Sequence, residues 1–179
     1  MNTGQFLTLL EEATEGVKDP YFRLPIGGDD PTFRERVYAY ELYHQLRLRW
    51  SPEWRVTLNG EVDKRRHPLL RGGRDSKPDL LVHEPGDQNV NLLVLEIEAA
   101  NETINGLRLD LQKLKVFITD GQYIKGVLLL FGDGDMHELR RRLALAYAAA
   151  GIEPEDGTRI DVRWQRRAGG RAEPIEDFA

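Results

Sequence analysis

Apolar positions recur along this chain with two periods, three-to-four and two, and the switches between them divide it into elements. "TGQFLTLLEEATEG" places Phe6, Leu9 and Leu10 on one face and runs into Gly16, which predicts a short N-terminal helix. "KDPYFRLPIGGDDP" carries no period and reads as a loop. A long helix is expected from a cap at Asp30 or Thr32, with Pro31 at its start, to Trp50. Its expected buried stripe is Phe33, Val37, Tyr40, His44 and Leu48, with Glu41 beside it. "WRVTLNGEV" alternates as a strand does, with a turn or bulge at Asn59-Gly60.

The stretch "KPDLLVHEPGDQNVNLLVLEIEAA" predicts two strands, Pro78 to Glu84 and Leu92 to Ala99, joined by a turn around Gly86 to Asn89. A helix follows, capped by Asn101, with Ile104, Leu107, Leu111, Leu114 and Ile118 at helical spacing and a stop at Asp120-Gly121. "YIKGVLLLFG" is a buried strand, "DMHELRRRLALAYAAAG" a helix between an Asp135 cap and Gly151, and "TRIDVRWQ" a last strand. With 179 residues, 40% of them apolar and spread evenly, one domain over 1–165 is expected, and from Arg166 onward a disordered tail.

The acids at the end of the second hairpin strand change the picture. Side chains alternate along a strand, so Glu96 and Glu98 share a face with Leu92 and Val94. In an antiparallel hairpin turning at Gly86 to Asn89, opposed residue numbers sum to about 175 to 177, which sets Asp79 across from Glu96 or Glu98. Opposed Cβ atoms lie roughly 5 Å apart, so three ionised carboxylates there would repel one another, and at least one pKa should rise unless a cation is present. A divalent ion resolves the conflict, and oxygen ligands without His or Cys favour Mg²⁺ or Mn²⁺ over Zn²⁺. The plainer reading is that Glu96 and Glu98 only end a strand at the solvent edge.

Pro78-Asp79, sixteen intervening residues and Glu96-Ile97-Glu98 resemble the motif of the PD-(D/E)xK nucleases of the restriction-endonuclease-like superfamily. The order of helix, three strands, helix and strand over about 32–132 is similar to that superfamily's core. The resemblance implies an α/β, three-layer core with a central mixed sheet flanked by helices. It further implies Asp79 and Glu96 as metal ligands and Mg²⁺-dependent phosphodiester hydrolysis. Glu98 stands where the motif usually has Lys. Either Glu98 acts as a further metal ligand or general base, or the lysine's role has moved to Lys113 on the following helix or to Lys77. The superfamily often adds an acid from the first core helix, for which Glu41 is the first candidate and Glu35 the second. Glu61 could also reach the site.

Charge and composition narrow the partners. A net charge of −5 argues against a protein that coats nucleic acid through global positive charge but leaves room for a local basic groove. "KRRHPLLRGGR" holds five basic residues and no acid; Lys64, Arg65, Arg66, Arg71 and Arg74, with Lys77, are the expected contacts to a DNA backbone. "RWQRRAGGR" is the other basic run and reads as solvated tail. No apolar run approaches the roughly 18 residues of a membrane span, the opening residues do not read as a secretion signal, and a cytoplasmic protein is expected. The chain has no cysteine, so thiol chemistry is excluded. Asp133 and Asp135 after "LLLF" do not have enough chain behind them for a phosphatase of the haloacid-dehalogenase type, and the four histidines have no paired metal spacing. Two functions follow: a nuclease, DNA before RNA, acting as a homodimer or with a protein partner, or a catalytically inactive nuclease-like binding subunit.

Overall fold

The protein is described here from a computed structural model covering residues 1–25, 32–60, 77–87, 90–176 and 178. Glu61, Lys64, Arg65, Arg66, Arg71 and Arg74 lie outside the described residues, as do Asp30, Pro31 and His67.

Helix α1 (Thr3–Thr14) opens with a capping box in which Asn2 and Gln5 bond each other's backbone N–H, and it buries Phe6, Leu9 and Leu10 as expected. The short α2 (Asp19–Phe22) and α3 (Glu35–Leu48) follow. Strands β1 (Thr57–Gly60), β2 (Leu80–His83) and β3 (Asn91–Ala99) pair antiparallel in turn, because β2 and β3 are joined by a short turn. Helix α4 (Ile104–Thr119) carries the chain across to β4 (Lys125–Phe131), and α5 (Met136–Ala150) with α6 (Pro154–Gly157) to β5 (Ile160–Gln165). Both β3–β4 and β4–β5 are therefore parallel. With β6 (Glu173–Pro174) antiparallel on β5, the result is a six-stranded mixed sheet in sequential order.

Helices cover both faces of the sheet, which is why β3 from Leu92 to Leu95 and β4 from Val127 to Phe131 read as apolar runs. Leu80, Val82, Leu93, Leu95, Val127 and Leu129 enter the core closed by α1 and α3, while Leu81, Val94, Leu128, Leu130 and Trp164 enter the one under α4 and α5.

Five expectations are corrected. Helix α3 starts at Glu35 without a side-chain cap, because Thr32 is held in a backbone bridge to Leu24. Its buried face is Tyr38, Leu42 and Leu46, and Tyr40 and Leu48 are 61% and 66% exposed. Two stripes compete on this helix. The winner stacks the Tyr38 ring on Phe131 at 4.0 Å and gives the Tyr38 hydroxyl a buried acceptor in Gln165. Asn59 and Gly60 make no turn; they pair with Leu81 and Leu80. The cap of α4 is Thr103 rather than Asn101, accepting from the Gly106 N–H at 3.0 Å. The expected disordered tail is packed through residue 176. Ala172 donates its N–H to Thr14 Oγ1, Ile175 donates to the Val162 carbonyl, and both side chains are buried.

Gly126 sets how closely α4 lies on the sheet. A Cβ there would stand 3.0 Å from Ile118 Cδ1 and 3.3 Å from Leu114 Cβ. Gly126→Val is expected to destabilise the fold by about 1–3 kcal/mol, read as a lower urea midpoint at unchanged m-value.

Candidate functional site

The β2–β3 ladder ends before β3 does. Pairing runs to Leu80↔Leu95, a number sum of 175, so Asp79 sits across from Glu96 as the hairpin register predicts. Among the described residues, Glu96 to Ala99 pair only with β4. Asp79 takes over at the open edge: its Oδ2 accepts the Ile97 N–H at 2.7 Å, so a side chain stands where a strand backbone would. Pro78 is buried beside it, which fixes the chain's entry into the site.

Glu96 is 1% exposed. Its Oε2 accepts from Lys113 Nζ at 2.7 Å, and its Oε1 is buried with no hydrogen-bond partner among the described residues. An acceptor left bare in this way costs about 1–3 kcal/mol or more. Burial, and then the Asp79 charge, hold Glu96 well above the usual carboxylate range, with Lys113 opposing both. Burial pulls Lys113 down, but the charge and hydrogen bond of Glu96 outweigh it and raise the amine above its ordinary value. One turn earlier on α4, Asp110 lies 3.5 Å from the same Nζ, and burial is the main cause that raises it to about 6.

Glu98 belongs to a second pair. It donates a hydrogen bond to Glu35 at the start of α3, and burial followed by the Glu35 charge pushes it to about 9. Glu35 is itself raised, by desolvation and then by Asp79. Two carboxyl groups here share one proton because both cannot ionise side by side.

A cleft of about 550 Å³ opens on this cluster from the α3 side, and Glu35, Arg36, Tyr40, Tyr43, Lys77 and Asp79 are among the residues lining it. Gly60 and Lys77, the described neighbours of residues 61–76, both border it.

The structure thus brings together Asp79, Glu96, Glu98 and Lys113, with Lys77 at the rim. Glu41 is not with them. It accepts from Gln45 Nε2 at 2.7 Å, because six residues of helix turn it well away from Glu35, the acid that does reach the cluster. Asp110 was missed, although its spacing of three from Lys113, beside the buried Leu107, Leu111 and Leu114, is the signal that finds it. Among the other candidates, Asp135 caps α5, Asp133 pairs with Arg23, and His83 bonds Asn59 at the far end of β2.

In chemistry this set suits a hard divalent cation: every donor is oxygen, one buried oxygen is bare, and burial first, then the neighbouring acids, raises the Glu96 and Glu98 carboxyl groups above their ordinary range. Asp79, Glu96 and Glu98 are the donors such an ion would use. As the side chains stand, no group of three among the described residues is close enough to coordinate one ion. Comparison with protein-family models, curated proteins and solved structures gives no match.

Because the folded value of Glu98 lies above its ordinary 4.5, the fold binds that proton more tightly than the unfolded chain does. Its contribution is full below pH 4.5 and is lost as pH rises towards about 9. Glu98→Gln, which keeps a hydrogen-bond donor but cannot ionise, is therefore expected to gain stability over the wild type progressively across that window in metal-free buffer. Urea midpoints measured at several pH values check this; a difference that stays constant with pH would refute it.

Proposed function

We propose that this chain is a divalent-metal-dependent phosphodiester hydrolase acting on nucleic acid, DNA first, with a restriction-endonuclease-like core. The observation that carries the reading is Lys113 Nζ at 2.7 Å from Glu96, beside Asp79 and at the end of a β2–β3 hairpin. That places an amine next to the acid pair from another layer of the fold, although the motif position after Glu96 holds Glu98. The order α3, β1 to β3, α4 and β4 adds to it.

Asp79, Glu96 and Glu98 would hold Mg²⁺, or Mn²⁺, which when bound supplies positive charge to a phosphate whose negative charge grows during attack. The chain's own groups have separate work. Lys113 stays charged throughout the neutral range, so it can orient a water or phosphate oxygen but cannot remove a proton. Glu98, protonated at neutral pH in this arrangement, is a hydrogen-bond donor to Glu35 and becomes a base only after losing that proton. Lys77 and Arg36 at the cleft rim suit the phosphates on either side. Among the described residues no DNA-reading element beyond this core stands out, which fits action as a homodimer or with a targeting partner.

Purified protein is expected to cut plasmid or oligonucleotide in Mg²⁺ or Mn²⁺. Asp79→Ala should abolish cleavage, and Lys113→Ala should slow it by about 10²- to 10⁴-fold. Mg²⁺ should also raise the melting temperature of the wild type, by a stabilisation of about 2.7 kcal/mol at a hundredfold excess over Kd, and not that of Asp79→Ala. No cleavage together with no Mg²⁺ shift would leave Lys113–Glu96 as a structural ion pair and favour a nuclease-like binding subunit.

A further inference from the structure

Helix α3 presents two faces. Tyr38, Leu42 and Leu46 face the core, and Arg36, Tyr40 and Tyr43, spaced i, i+4 and i+7, line the cleft that ends at Asp79. Tyr43 is anchored, with its hydroxyl donating to the Leu58 carbonyl at 3.4 Å. Tyr40 is 61% exposed. Single exposed aromatics are common on convex surfaces, but this one lies in a concavity it shares with an acid cluster. The cleft also has polarity: Asp79 and Glu35 are anionic groups on its lining, while Arg36 and Lys77 are cationic ones.

We propose that the cleft takes an unpaired nucleotide, its base against the Tyr40 ring and the adjoining phosphates against Arg36 and Lys77. The substrate is then single-stranded or locally opened nucleic acid. This rests on the reading of the Asp79 cluster as a phosphodiester-cleaving site and adds the form of strand that site accepts. Its size is right for one small ligand, since binding pockets run from about 300 to 1,000 Å³, and the cleft measures about 550 Å³. A duplex keeps its base faces stacked inside the helix, so a ring at a cleft wall meets a base face only when that base is out of the stack. Stacking on one aromatic contributes affinity for any base without reading sequence.

The test is fluorescence anisotropy of a short labelled single strand and of the matching duplex, with full-length protein in Ca²⁺ at fixed salt. The single strand should bind more tightly than the duplex. Tyr40→Ala should weaken single-strand binding about tenfold or more, and Tyr40→Phe, which keeps the ring, should bind as the wild type does. Because Tyr40 is exposed, an unchanged melting temperature confirms that the alanine variant is folded. Equal or tighter binding of the duplex, a loss under about threefold in Tyr40→Ala, or no binding of either strand form overturns the proposal. The two readings fail separately. Tyr40-dependent binding of single strands without any cleavage removes the hydrolase and leaves the cleft. Asp79-dependent cutting of duplex that Tyr40→Ala does not alter removes the cleft's assigned ligand and leaves the hydrolase.

Discussion

The site depends on where a ladder stops. β3 extends past Leu80, the first residue of β2, which leaves backbone groups at an open sheet edge, and an unpaired buried N–H is expensive. Asp79 resolves this by accepting the Ile97 N–H with its own carboxylate. That single bond fixes an anion directly across from Glu96, and the remaining features of the cluster follow from it. Glu96 rises in pKa partly because Asp79 is there, and so does Glu35. A β2 longer by two residues would satisfy the same N–H with backbone instead.

Charge is the second constraint. Asp79, Glu96, Glu98, Asp110 and Glu35 influence one another through a largely desolvated region, and Lys113 is the cation that the Glu96 carboxylate meets. One amine cannot neutralise five acids, so protons make up the difference: Glu98 and Glu35 share one, and Asp110 titrates near 6. A fold selected for stability alone has cheaper solutions, since apolar residues of similar size at buried ionic positions are often neutral or stabilising. Keeping a bare Glu96 oxygen inside the protein is a cost that binding of a cation would remove.

Much of this was legible in the sequence, because it rests on short-range geometry. The hairpin register came from a turn position and an alternation, and its sum of 175 holds along β2 until the bulge at His83. The stripe of α4 and the Asp135 and Gly151 ends of α5 rest on local chemistry too. What escaped was decided at long range. Helix α3 offers two plausible apolar stripes, and only Phe131 and Gln165, about a hundred residues later, choose between them. Choosing the wrong stripe also hid Tyr40, counted as core when it lines the cleft, and put Glu41 ahead of Glu35, the α3 acid that lies beside Asp79 and Glu98. The segment after Arg166 looks like tail by composition; Thr14, 158 residues before Ala172, and the adjoining strand β5 through Val162 hold it in place.

The presence of Glu98 where the resembled motif carries Lys is a matter of the layers on either side of β3. Side chains at the end of this strand meet two helices: Glu96 is answered from α4, and Glu98 from α3. A cation at 98 would neutralise Glu35 at the α3 side and leave Glu96 dependent on nothing new. A cation at 113 instead contacts the buried acid itself, from a helix pinned to the sheet through Leu111, Leu114 and Ile118. The rigid element carries the amine, and the acid nearer the solvent remains free to exchange its proton.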